Sequence, residues 1–97
     1  MGRKAIAVDP DAKTRNLARL KRVEGQVRGI YKMVEDDRYC ADIVSQLSAV
    51  QAALRAVGRE LVRNHLRHCA TDAFQKGGDH ADQMCDELID LMDRNAR

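Results

Sequence analysis

Between Pro10 and the pair Gly77-Gly78, no residue in this chain forces a helix to stop. Pro10 is the only proline, and Gly25, Gly29 and Gly58 stand singly inside otherwise periodic segments. Apolar residues recur there at three- and four-residue spacing, the period of an α-helix rather than a strand. With one Phe, two Tyr and no Trp, the core has to come from Leu, Val, Ile, Ala and Met, which suits helix-on-helix packing. The chain is therefore predicted to be all-α.

Asp9 supplies an N-cap and Pro10 a first helical residue, after which Leu20, Val23, Val27, Ile30 and Val34 follow on one face. The polar run Glu35 to Arg38 ends this helix. Gly25 and Gly29, four apart within it, are read as sites of close backbone packing. A second helix carries Ile43, Leu47, Val50, Leu54, Val57 and Leu61 and runs to Gly77-Gly78. Beyond the glycines, Asp79 is expected to cap a shorter helix whose apolar stripe is Ala81, Met84, Cys85, Leu88 and Met92. The expected architecture is two long antiparallel helices plus a short C-terminal helix.

Ninety-seven residues suit one domain spanning 1–97, with residues 1–9 as a flexible lead-in. A chain of this length buries only about 60–65% of the surface its unfolded form exposes. Two long amphipathic helices do not close a core around themselves, whereas two copies supply the four helices of a bundle, so a dimer is expected as the minimal folding unit. No apolar run approaches the ~20 residues that span a bilayer, and the start does not read as a secretion signal. A cytoplasmic protein without membrane attachment is expected.

Net charge +2 conceals a gradient. Residues 1–38 hold ten Lys/Arg against six Asp/Glu, 39–70 hold four against two, and 71–97 hold three against seven. Within 13–32 only Glu24 opposes seven basic residues. Arg15, Arg19, Arg22 and Gln26 fall within an arc of about 60° on the first helix, and Arg55 and Arg59, with Arg63, form a second ladder. Such strips are either solvated faces or a binding surface for the phosphates of double-stranded DNA.

Three cysteines are too odd a number for a disulfide framework and suggest reduced thiols, inert or with a metal or redox role. His65 and Cys69, four apart, stand one turn above another on a helix, as two ligands of one metal should. Cys40 lies twenty-five residues before His65, roughly 37 Å away along a continuous helix. One subunit therefore does not close a site from all three. On the helical wheel they share one side, within about 40°, so an antiparallel partner helix brings its Cys40 beside His65 and Cys69. Two thiolates and one imidazole suit trigonal Cu(I), and Zn(II) where a fourth ligand is added. His68 and His80 read as surface histidines, and Cys85 as a small core residue.

The runs Arg19-Leu20-Lys21-Arg22-Val23-Glu24-Gly25-Gln26-Val27-Arg28-Gly29-Ile30, Tyr39-Cys40, Asn64-His65-Leu66-Arg67-His68-Cys69 and Glu87-Leu88-Ile89-Asp90 resemble, in order and spacing, the copper-sensing operon repressor (CsoR/RcnR) family. The likeness extends from about residue 13 to 92. It implies an all-α dimer pairing into a tetramer, which binds operator DNA as apo-protein and releases it when metal binds. The family's copper branch uses ligands matching Cys40, His65 and Cys69, with outer-shell residues matching Tyr39 and Glu87. The resemblance suggests a switch in which His65 Nδ1–H contacts Glu87 only when Nε2 holds copper. Nickel- and cobalt-sensing members add a histidine near the amino terminus, where this chain has Val8. The family's DNA-contacting arginines match Arg19 and, on the second helix, Ala56, flanked here by Arg55 and Arg59.

The expected function is Cu(I)-responsive transcriptional repression. The nearest alternative is a persulfide- or thiol-sensing repressor using Cys40 and Cys69, in which His65 would be dispensable. A copper buffer would need no basic strips. An enzyme is disfavoured, since the chain has no acid–base pair or phosphate-cradling loop.

Overall fold

The computed structural model describes residues 4–95, which are mostly helical and contain no strand. The elements are α1 (Pro10–Glu35), α2 (Cys40–Asn64), a π-helical turn (His65–Ala70), α3 (Thr71–Lys76) and α4 (Gly78–Asn95). The second long helix expected from sequence is thus α2, the π turn and α3 in succession, and it does end at Gly77. Of the lead-in expected to be flexible, residues 1–3 lie outside the described residues, while the Ala7 carbonyl accepts a 2.9 Å hydrogen bond from Asn64 Nδ2.

Local chemistry accounts for the helix ends. The Asp9 carboxylate accepts the Asp11 N–H at 3.0 Å, and Pro10, which has no N–H to satisfy, occupies the first helical position. At the other end of α1, Arg38 N–H reaches the Met33 carbonyl at 2.9 Å and Asp37 N–H reaches that of Val34 at 3.2 Å. This is a Schellman closure, with Asp37 in the left-handed region at φ 54°, where glycine is the usual occupant. The Tyr39 carbonyl then receives Asp42 N–H at 3.0 Å and starts α2.

Asp9–Val62 forms one compact unit. Its two helices run antiparallel: Arg15, early in α1, meets Glu60, late in α2, while Val23 and Ile30 pack with Val50, Ile43 and Ala53. The inward side of α1 is Asn16, Arg19, Val23, Gln26, Ile30 and Met33, at alternating three- and four-residue spacing. From α2, Ile43, Val50, Ala53, Val57 and Glu60 face it. Each helix had been read as having one apolar face, and the structure divides that face in two. Leu20, Val27 and Val34 of α1, with Leu47, Leu54 and Leu61 of α2, remain between 41% and 58% exposed. They form a second line on each helix, beside the first, which no other part of the unit covers. Gly25 and Gly29 also depart from expectation, because a Cβ at either would meet nothing within 4 Å among the described residues.

The second unit comprises residues 4–8 and 63–95. Ala70, Ala73 and Met84 are its buried residues, with Cys69 and Leu88 packed against them. Gly77, at φ 70°, donates its N–H to the Ala73 carbonyl at 3.1 Å and ends α3, a backbone conformation that L side chains rarely adopt. Helix α4 begins at Gly78, so Asp79 lies in its first turn rather than at the cap. The inward line of α4 is Ala81, Met84, Leu88 and Leu91. Cys85 and Met92 are exposed instead of belonging to the core, because 84, 88 and 91 continue the three–four spacing on the packed side. No large side chain among the described residues is fully sealed from solvent, a thin core for a chain standing alone.

Candidate functional site

His65 and Cys69 both lie in the π-helical turn. In an α-helix, residues four apart overshoot one full turn by about 40°. Widening the hydrogen bonding from i→i+4 to i→i+5 puts more residues in each turn and reduces that overshoot, so the imidazole and the thiol stack more nearly one above the other. The Thr71 hydroxyl donates to the Leu66 carbonyl at 3.0 Å beside this widened turn. Single π turns of this kind are frequent at functional sites.

The His65 side chain is 23% exposed, but its Nε2 is enclosed and makes no hydrogen bond. The nearest charged group is Glu87 Oε2 on α4, at 3.4 Å, an ion pair only when the imidazole is protonated. It is Nε2 of His65, not Nδ1, that faces the Glu87 carboxylate in this structure. The physical reason is that an enclosed ring nitrogen is costly without a polar neighbour, and Glu87 is the carboxylate α4 supplies. Cys69 is half-buried against the cluster of Ala70, Ala73 and Met84 and carries no disulfide.

Cys40, the first residue of α2, is exposed. It shares a side of that helix with Leu47, Leu54 and Leu61, the line left uncovered within its unit. Tyr39 beside it is 73% exposed. Among the described residues, no three His, Cys, Asp or Glu side chains converge as a metal site within one chain. What the chain does bring near one another is His65 and Glu87, at 3.4 Å, with Cys69 in the same π-helical turn as His65. The donor set fits a soft cation: an enclosed ring nitrogen without a hydrogen bond, and a thiol one turn away.

On the basic side, Arg22, Arg55 and Arg59 are exposed and form no ion pair among the described residues. Gln26 is half-buried on the inward seam, not free on the strip. Arg15 and Arg19 are engaged: Arg15 Nε and Arg19 Nη1 each lie 3.3 Å from Glu60 Oε1. Burial raises the Glu60 pKa, but the hydrogen bonds and charges of Arg15 and Arg19 outweigh it and hold the carboxyl below its ordinary value. Sequence reasoning passed over Glu60. The signal available was its isolation, as the one acid between Asp42 and Asp72, among Arg55, Arg59, Arg63 and Arg67.

Comparison with known proteins places these features in a family. Residues 12–94 match the family of metal-sensitive transcriptional repressors. The chain is 54% identical over 73 residues to the copper-sensing transcriptional repressor CsoR of Bacillus subtilis, covering 75% of this chain and 70% of that one. It is 56% identical over 64 residues to the copper-sensing transcriptional repressor RicR of Mycobacterium tuberculosis, covering 66% and 67%. Among solved structures, the copper-sensing repressor CsoR with Cu(I) from Geobacillus thermodenitrificans is similar over 100% of both chains, with TM-score 0.84 and 43% identity. A match over nearly the whole helical region, together with close relatives that are regulators rather than enzymes, establishes that the chain belongs to the family of metal-sensitive transcriptional repressors.

Proposed function

We propose that this protein is a Cu(I)-responsive repressor of the cytoplasm, acting as one folded unit per chain in a homodimer that pairs into a tetramer. It binds double-stranded operator DNA when metal-free and leaves it when Cu(I) is held by Cys40 of one protomer with His65 and Cys69 of its partner. The observation that carries this reading is the position of Cys40 on the uncovered apolar line of α2, while His65 Nε2 stands enclosed and without a hydrogen bond. Covering that line with the same line of an antiparallel copy buries the exposed leucines and supplies the missing thiolate in one step. The names of the related proteins point to the same metal.

Two thiolates and an imidazole give Cu(I) the soft, low-coordinate ligand set it prefers over Zn(II). Tyr39 and Glu87 form the surround of this site. Glu87 Oε2 sits opposite His65 Nε2, so ligation through that nitrogen changes what the carboxylate faces and couples the site to α4. For release to follow, Cu(I) must bind the DNA-free conformation more tightly than the DNA-bound one. The DNA surface is the strip of Arg15, Arg19 and Arg22 with the ladder of Arg55 and Arg59, Gln26 being turned to the inward seam.

The test is anaerobic Cu(I) titration of the reduced protein on promoter DNA, followed by fluorescence anisotropy. Wild type should dissociate near about one Cu(I) per chain, while His65→Ala stays bound. A thiol sensor of the same family predicts the opposite for His65→Ala, which would keep its response to persulfide and lose it with Cys40→Ser or Cys69→Ser.

A further inference from the structure

We infer that Glu60 is a built-in competitor of the DNA backbone, a carboxylate that occupies the place of a phosphate oxygen between Arg15 and Arg19 and holds operator affinity down. The inference rests on the proposed DNA-binding role of those arginines and deepens it. Two guanidinium groups converging on one oxygen, each at 3.3 Å, is also the way a pair of arginines holds a phosphate oxygen. Arg19 Nη1 and Glu60 Oε2 are closed off from solvent and make no hydrogen bond, while the Arg15 side chain is 53% exposed, so one arginine of the pair is held inside and the other reaches solvent. Arg22, Arg55 and Arg59 have no such partner among the described residues. The basic strip therefore contains two kinds of arginine, three unpaired and two already neutralised in part by a single negative charge.

That Arg19 and Arg15 outweigh burial and keep Glu60 ionised fits the same picture, because the anion remains in place at neutral pH. To grip a phosphate, Arg15 and Arg19 exchange one anion for another. The trio then carries one net positive charge toward DNA, not two, and releases fewer condensed counterions than two free arginines would.

Duplex promoter DNA is titrated with the reduced, metal-free protein across a series of salt concentrations, comparing wild type, Glu60→Gln, Arg15→Gln and the double variant. Glu60→Gln keeps the hydrogen-bonding shape and removes the charge. It should bind about fivefold tighter at low salt, the effect of one unit charge a few ångströms from a phosphate in a wet setting. The slope of log K against log salt should steepen by about 0.9. Arg15→Gln should flatten the slope by about 0.9 in either background, since each loses one positive charge of the strip, and should cost more affinity when Glu60 is already neutral, a coupling that a double-mutant cycle reads directly. Should Glu60→Gln lose its helical circular dichroism, Glu60→Met takes its place: a slope steeper by about 0.9 supports the inference and an unchanged slope overturns it. Equal or weaker binding by a folded Glu60→Gln with an unchanged slope would overturn the competitor role and leave Glu60 as a structural clamp. If metal-free wild type fails to bind duplex DNA at all, the proposed function falls first and the inference with it.

Discussion

Co-expressing two damaged chains should rebuild half of what neither has. Cys40 opens α2, a helix of 25 residues and about 37 Å, and His65 follows its last residue. A chain with Cys40→Ser keeps the His65/Cys69 pair, and a chain with His65→Ala keeps Cys40. In a mixed dimer, Cys40 of the second meets His65 and Cys69 of the first, giving one intact site, while the opposite end has lost both. Random pairing makes half of all dimers mixed, so the unsorted mixture should hold about one quarter of the wild-type Cu(I), and dimers selected by two different affinity tags about one half. Binding is read anaerobically by competition with a chromogenic Cu(I) chelator, with each single variant alone as baseline. If all ligands came from one chain, neither variant could be complemented and the mixture would bind no more copper than its parts. That result would refute the intersubunit argument even if both variants fold and dimerise.

Three further outcomes follow from particular residues. Gly25→Ala and Gly29→Ala should each stabilise the protein by about 1 kcal/mol, since α1 gains a better helix former and a Cβ there meets nothing within 4 Å; a fall in melting temperature would reveal another chain packed at those positions. Asp37→Gly should also stabilise, by up to about 1 kcal/mol, by relieving the left-handed backbone at φ 54° between α1 and α2, and thermal unfolding by circular dichroism measures it. Glu60, whose folded pKa is lowered from 4.5, contributes stability that is complete above that value and is lost as pH falls through the lower folded one. Wild type should therefore melt above Glu60→Gln near neutrality and lose that advantage on acidification below about pH 4, whereas a constant gap across the range would contradict it.

The helix boundaries were legible because their chemistry is local. Asp9 and Pro10 start α1, and Gly77 ends α3, each through a backbone requirement visible in one or two residues. The four-residue step from His65 to Cys69 was legible for the same reason. What escaped was tertiary. A three–four apolar pattern does not reveal that a helix carries two adjacent seams, so Leu20 and Val23, or Leu47 and Val50, looked equivalent until one of each pair was buried and the other left open. The Glu60 contact joins opposite ends of two helices 45 residues apart in sequence, and no spacing rule reaches that far. Which ring nitrogen of His65 meets Glu87 depends on a side-chain torsion that composition does not encode. The π turn is equally silent, since nothing in His65–Ala70 distinguishes it from ordinary helix by residue type.

That turn ties metal chemistry to helix phase. A π turn is an α-turn with one residue added, so all that follows it is rotated about 100° around the axis relative to an uninterrupted helix. Deleting a single residue such as Leu66 would return the turn to α geometry and move His65 and Cys69 to three apart. The same deletion would swing Glu87, which follows it, away from His65, which precedes it. The spacing of the proposed ligands and the approach of Glu87 to His65 are thus written in the same six residues, and a lineage in which that insertion is lost forfeits both together.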